Sequence, residues 1–206
     1  MWVKICGITN LEDALAAAAA GADALGFIFV GSSRRAVSRK TCSEILRALP
    51  SSVLTVGVVA NEEPSFLHDL LRVCPLGALQ FHGEEPPEAV LPFKEQAKVI
   101  KAIRVKGARS LGQVPLYRGV DAVLLDSWQP GRRGGTGAVF DWELAARAAQ
   151  GGIPIIVGGG LTPANVGEMA RRVRPYGVDI SSGVESSPGR KDHALIREFV
   201  ARAQAT

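Results

Sequence analysis

Apolar and polar positions follow one another along this chain in a repeating order: a short continuous apolar run, a glycine- or serine-bearing turn, then an amphipathic stretch. Runs such as VLTVGVV and IPIIV are near-continuously apolar, as strands buried on both faces are, whereas a strand with one wet face would alternate. They predict strands over residues 2–6, 24–29, 53–58, 78–82, 99–103, 122–126, 153–157 and 178–181. Helical spacing between them predicts helices over 11–20, 39–49, 64–73, 87–96, 142–150, 163–173 and 192–203. Residues 107–117 contain glycines and Pro115 and allow only a short or irregular helix. Asn10 is the expected N-cap of the first helix, and Thr162, followed by Pro163, that of the helix over 163–173. Such a βα order, kept through eight units, favours a closed (β/α)8 barrel over an open doubly wound sheet, in a single domain spanning 1–206.

Composition narrows the possibilities further. A chain of 206 residues, 47% hydrophobic and 21% charged, is sized for one well-buried core. No apolar stretch approaches the roughly 20 residues of a membrane helix, and no basic leader with a cleavage site is visible, so the expected compartment is the cytoplasm. Cys6, Cys42 and Cys74 are far apart and lack CxxC spacing, which points to reduced thiols. The net charge is +4, but the basic residues are scattered, which argues against nucleic acid. Pairs such as Arg34-Arg35, Arg132-Arg133 and Arg171-Arg172 stand near strand ends or glycine-rich segments and suit a small anionic substrate. HxH, HExxH and GxGxxG are all missing, so neither a metal nor a dinucleotide is expected.

Candidate chemistry sits where the apolar runs end, which in a parallel barrel is the catalytic face. Two glycine turns, Gly158, Gly159 and Gly160 in one unit and Ser181, Ser182 and Gly183 in the next, suit a phosphate; each alone would also serve as a tight turn. Cys6 ends the first strand at the barrel mouth, whereas Cys42 and Cys74 fall in helical stretches and read as inert packing. A free thiol, with a pKa of about 8.5, needs nearby positive charge to act as a base. Asp126 ends an apolar strand and could serve as an acid, a cap or an ion-pair partner. Arg35 could grip a carboxylate with its planar fork, although its spacing alone favours a solvated loop residue. His82 is either a pocket residue or a structural one.

Read together, the segments KICGIT (4–9), GADALGFIF (21–29), QFHG (80–83), DAVLLDS (121–127), GGTG (134–137), FDW (140–142), GGLTPANV (159–166), DISSGVE (179–185), PG (188–189) and KD (191–192) resemble the phosphoribosylanthranilate isomerase family of tryptophan biosynthesis. The resemblance implies an Amadori rearrangement of N-(5-phosphoribosyl)anthranilate to 1-(2-carboxyphenylamino)-1-deoxyribulose 5-phosphate, with no cofactor. It implies Cys6 as general base and Asp126 as general acid. Arg35 matches the ligand of the anthranilate carboxylate, His82 and Asp179 are further substrate contacts, and Gly159, Gly160, Ser181, Ser182 and Gly183 hold the phosphate. The implied partner is a small phosphoribosyl compound, with no nucleic acid or membrane, and the chain is a monomer or homodimer. The glycine-rich loop 128–138 is expected to close over the substrate. The loop SRRA (33–36) departs from the usual Ser-Pro-Arg-Tyr, and alignment through Val37-Ser38 selects Arg35 over Arg34. Gly158 stands where alanine or serine is common. An alternative is the related isomerase of histidine synthesis, which is expected to carry an aspartate where this chain has Cys6; another is a phosphosugar-binding module that needs neither Cys6 nor Asp126.

Overall fold

The computed structural model describes residues 1–127 and 141–206; the GGTG motif, Phe140, the pair Arg132-Arg133 and the expected closing loop 128–138 lie outside the described residues, while Asp141 and Trp142 lie within them. Eight parallel strands form a closed barrel in sequence order: β1 (Trp2–Cys6), β2 (Ala24–Ile28), β3 (Leu54–Val59), β4 (Ala78–Phe81), β5 (Lys98–Val105), β6 (Ala122–Ser127), β7 (Ile155–Val157) and β8 (Gly177–Ile180). β8 pairs back onto β1, Lys4 opposite Asp179, and completes the predicted (β/α)8 architecture. Helices α1 (Leu11–Ala19), α2 (Arg39–Leu46), α3 (Pro64–Val73), α4 (Pro87–Val90), α5 (Trp142–Ala149), α6 (Val166–Val173) and α7 (His193–Gln204) lie between or after the strands. Among the described residues no helix is long and apolar enough to cross a membrane.

Two helices depart from expectation for local reasons, and the stretch expected to be irregular is so. The helix expected over 87–96 ends after one turn and continues as the 3-10 segment Leu91–Glu95, because Pro92 has no N–H to donate to an α-helical ladder. Residues Ala108–Tyr117 also form a 3-10 segment, with Pro115 inside it. α6 starts at Val166, three residues later than expected, with Asn165 and not Thr162 at the N-cap. Here Thr162 supplies its carbonyl to the N–H groups of Asn165 and Val166, while the Asn165 amide accepts from Thr162 N at 2.8 Å and donates to Gly160 O at 3.0 Å. Asn10 caps α1 as expected, its side chain accepting from Asp13 N at 2.9 Å. A hairpin that the sequence did not announce, β9 (Glu185–Ser187) with β10 (Arg190–Lys191), follows a 3-10 turn at Ser182–Val184.

Although the strands are apolar on both faces, the two faces differ in size. Small and medium residues, Ala24, Val56, Ala78, Ala102, Ala122, Leu124 and Ile156, fill the narrow interior. Larger ones, Ile5, Leu25, Phe27, Leu79, Phe81 and Leu125, pack outward under the helices. Followed toward the strand C-termini, the inward parity reaches Lys4 and Cys6 on β1, Gln80 and then His82 from β4, Arg104 on β5, Asp126 on β6, and Asp179 and then Ser181 from β8. A slip of one residue in any strand would turn its chemistry away from the mouth.

On the outward face, a buried ion pair fixes the turn after β4. Lys101 Nζ reaches Glu85 Oε2 at 2.8 Å and Gly83 O at 2.7 Å, and Glu85 accepts from the N–H groups of Asn61 at 2.6 Å and Gly83 at 3.0 Å. Burial works against ionisation of Glu85, but Lys101 and the Asn61 N–H outweigh it and hold the carboxyl below its ordinary range. A carboxyl with a lowered folded pKa stabilises above its unfolded value, and that contribution fades as pH falls through the folded one. Replacing Lys101 by Met should cost about 3–5 kcal/mol, because it leaves a buried carboxylate unpaired, and adding Glu85→Gln should recover part of it. Denaturant titration of the three proteins measures both steps, and a Lys101→Met loss below about 1 kcal/mol would remove the pair from the fold's supports.

Candidate active site

At the C-terminal ends of the strands the interior opens into a cavity of about 1110 Å³. Cys6, Arg35, His82, Asp126, Asp179, Gly159, Gly160, Ser181, Ser182 and Gly183 all line it, whereas Gly158, the first residue of its glycine turn, does not. Residues not singled out from sequence stand there too, among them Gln80 and Arg104, while Lys4 lies beneath the cavity floor and Lys191 and Glu185 beside it. For Lys4, Gln80 and Arg104 the signal was present as inward parity, but a polar residue inside an apolar strand is hard to assign before the barrel is closed; Glu185 and Lys191 lie on a hairpin outside the barrel and carried no such signal.

Cys6 is only 5% exposed and sits within a group of charges. Lys4, fully buried two residues earlier on the same face of β1, donates to Asp179 Oδ1 at 2.8 Å. A Cβ at Gly26 would stand 2.7 Å from Cys6 Sγ and 3.0 Å from Lys4 Nζ, so glycine there leaves the space that sulfur and ammonium share. Lys191 Nζ, brought in by β10, donates to Cys6 O at 2.6 Å, Ser181 O at 3.1 Å and Glu185 Oε1 at 3.0 Å. Burial pushes the Cys6 thiol up; Lys4 and Lys191 pull it down, Asp179 pushes it up, and the balance lies above the ordinary value. Cys42 and Cys74 are buried away from the cavity, and burial raises both thiols.

Across the mouth, His82 bridges two side chains: Nδ1 lies 2.9 Å from Gln80 Nε2, and Nε2 lies 3.2 Å from Asp126 Oδ2. As drawn, the Gln80 amide donates to Nδ1, so Nε2–H donates to an Asp126 carboxylate. Gln80 Oε1 is buried without a partner among the described residues. Turning the amide would pair that oxygen with Nδ1–H and leave Nε2 to accept a proton from Asp126. The Gln80 orientation and the Asp126 proton are therefore linked through one imidazole ring.

Arg35 is not a solvated loop residue. Its Nε and Nη2 grip Glu185 Oε1 at 2.8 Å and Oε2 at 2.7 Å, a bidentate fork with the two side chains 17% and 4% exposed. Arg34 and Arg104 also line the cavity, and Arg104 Nη2 donates to His82 O at 3.3 Å. The two glycine turns abut, since a Cβ on Gly183 would collide with the Leu161 carbonyl. Between them and Cys6, Ser181 Oγ is buried with no hydrogen-bond partner among the described residues. Nor, among those residues, do three His, Cys, Asp or Glu side chains converge as metal ligands would.

Polar groups that converge from separate strands on the C-terminal mouth are the working arrangement of (β/α)8-barrel enzymes, and this chain is one of that class. Residues 3–202 match the family described as N-(5'phosphoribosyl)anthranilate (PRA) isomerase. The N-(5'-phosphoribosyl)anthranilate isomerase of Geobacter sulfurreducens is 50% identical over 98% of this chain and 98% of that protein. The crystal structure of phosphoribosyl anthranilate isomerase from Thermotoga maritima superposes with a TM-score of 0.94 at 42% identity, covering 100% of both chains. A crystal structure of phosphoribosyl anthranilate isomerase in complex with reduced 1-(o-carboxyphenylamino)-1-deoxyribulose 5-phosphate gives 0.91 at 41% identity, again over 100% of both chains. The chain belongs to the phosphoribosylanthranilate isomerase family.

Gly159 provides a test of the mouth's geometry. With φ +77° and a notional Cβ only 2.7 Å from Asp126 Oδ1, it accepts no side chain without strain. Gly159→Ala should cost at least about 1–2 kcal/mol in denaturant titration for the left-handed backbone alone. By contrast, a Cβ on Gly158 would meet Leu124 at 3.4 Å and Asp179 at 3.6 Å. Gly158→Ala should accordingly stay within about 0.5 kcal/mol of the parent. Equal losses would mean that the turn's strain is not where the geometry puts it.

Proposed function

We propose that this protein is a phosphoribosylanthranilate isomerase of tryptophan biosynthesis, converting N-(5'-phosphoribosyl)anthranilate to 1-(2-carboxyphenylamino)-1-deoxy-D-ribulose 5-phosphate. The observation that carries the proposal is the placement of a thiol and a carboxylate, Cys6 from β1 and Asp126 from β6, on one cavity between two abutting glycine turns and an arginine. Asp126 donates a proton to the furanose ring oxygen, the ring C–O bond opens, and a Schiff base forms. Cys6 then takes the proton from the sugar C2, and the resulting enolamine tautomerises to the ketone. The phosphate rests on Gly159, Gly160, Ser181, Ser182 and Gly183, where the unpartnered Ser181 hydroxyl is a ready donor. Arg35 meets the anthranilate carboxylate at the other end, and His82 and Asp179 face the sugar between them. Fixing both ends turns a flexible substrate into an oriented one.

The reading is tested by generating phosphoribosylanthranilate in place and following the loss of its fluorescence. Cys6→Ser and Asp126→Asn should each lower turnover by about 10²–10⁴-fold while the barrel stays folded. A serine variant with near-normal turnover would end the role given to Cys6, and an Asp126→Asn variant keeping more than about a tenth of the rate would end that of the acid.

Arginine variants test the carboxylate end separately. Arg35→Ala should raise KM more than Arg34→Ala does, by up to about 10–100-fold, the scale of a lost charge-assisted fork. The opposite order would assign the carboxylate to Arg34.

A further inference from the structure

Cys6 stands against two sets of ion pairs, Lys4 with Asp179 and Glu185 with Arg35 and Lys191. Among the described residues, three cations pack toward it: Lys4 from β1 beneath, Lys191 from β10 at its carbonyl, and Arg35 from the loop after β2, whose Cδ lies 2.8 Å from the space beside Gly7. Two carboxylates answer them, Asp179 on Lys4 and Glu185 on both Arg35 and Lys191. Asp126 and His82 face the same cavity from β6 and β4 but are bonded to each other. Lys4 is the cation placed to meet a negative charge on the sulfur. Its ammonium is 0% exposed and carries three donors, one of which goes to Asp179, and it shares with Cys6 Sγ the space that Gly26 leaves open. A buried ammonium with donors to spare is costly unless a second acceptor is at hand.

We propose that Lys4 is a positioning residue of the Cys6 base: its buried ammonium is the counter-ion of the Cys6 thiolate, and Asp179 competes with the sulfur for it. This rests on the reading of Cys6 as the base. The thiol proton leaves to solvent and the ammonium keeps its own, so Lys4 holds the negative sulfur without taking part in proton transfer. Asp179, which also faces the cavity, governs how much of the ammonium's field reaches the sulfur. The two residues therefore have opposite effects on Cys6, although they form one ion pair.

The test reads the thiol directly: the rate of Cys6 alkylation by iodoacetamide is followed against pH in the full-length protein, with the Cys6-containing peptide quantified by mass spectrometry. Lys4→Met should move the alkylation profile to higher pH and slow the reaction on its acid side about tenfold or more, while Asp179→Asn should move it to lower pH and speed it by a similar factor. Because Lys4→Met leaves a buried carboxylate unpaired, the double variant Lys4→Met with Asp179→Asn keeps the test available if the single variant fails to fold, and it should titrate above the Asp179→Asn protein. In the fluorescence assay Lys4→Met should lose kcat with little change in KM, and regain it at higher pH. Profiles of the Lys4 variants that overlay their Lys4-containing counterparts, or an upward shift in Asp179→Asn, would overturn the proposal. Opposite shifts in a protein without isomerase activity would uphold it while removing the proposed reaction; normal activity without the shifts would do the reverse.

Discussion

A closed parallel barrel allows a strand side chain two directions, into a narrow interior or out under the helices, and hydrogen bonding to two neighbours fixes which residue takes which. Lys4 opposite Asp179, Cys6 opposite Gly26 and Arg104 opposite Asp126 are consequences of that pairing. The constraint acts on energy as well as position. Lys4 is fully buried and Asp179 nearly so, and such groups are costly unless they are paired, so the register that brings them face to face is what makes an ionised interior tolerable. The lower interior is filled with apolar residues, and Lys4, paired with Asp179, is the charged group set beneath the cavity floor.

Loops hold the remaining groups, and here the β9–β10 hairpin does for the mouth what register does for the strands. Glu185 at its start accepts two bonds from Arg35 and one from Lys191 near its end, while Lys191 bonds the carbonyls of Cys6 and Ser181. The loop after β2, the end of β1 and the turn after β8 are thus tied through two side chains. Burial works against ionisation of Glu185, but Arg35 and Lys191 outweigh it and hold the carboxyl below its ordinary range. Lys191 is also lowered, burial disfavouring its charge more than Glu185 restores it.

Much of this was legible in the sequence. Eight apolar runs gave the barrel, and their C-terminal residues gave Cys6, Asp126, His82 and the two glycine turns, because a strand's end marks the catalytic face without any knowledge of what lies opposite. What stayed hidden depends on opposition. Lys4 sits inside an apolar run, and nothing in that run assigns it a partner until β8 brings Asp179 beside it. Glu185 and Lys191 are separated from Arg35 by about three quarters of the chain, so the fork on Arg35, which spacing alone would leave in solvent, emerges only from the folded hairpin. The cap at Thr162 was misplaced for a related reason: Asn165 can bond backward to both Thr162 and Gly160, and that closed turn outcompetes an earlier helix start.

The fork on Arg35 bears on how a carboxylate ligand would be received. With Nε and Nη2 already on Glu185, an incoming carboxylate either uses the remaining Nη1 and shares Nη2, or displaces Glu185. Displacement would leave Glu185 with Lys191 and the Gly189 N–H, both of which already bond its Oε1. Sharing is the cheaper course, since it breaks no buried charge-assisted bond and leaves the hairpin attached to Cys6 through Lys191. Glu185 then acts as a splint that fixes the guanidinium plane before any ligand arrives, so the rotamer entropy of a long side chain is lost on folding and not on binding. The opposite side of the mouth follows the same logic with different chemistry. There Gln80 and Asp126 hold the His82 ring between them, and the proposed acid, like the proposed carboxylate ligand, is oriented by a neighbour that is itself hydrogen-bonded to a second side chain.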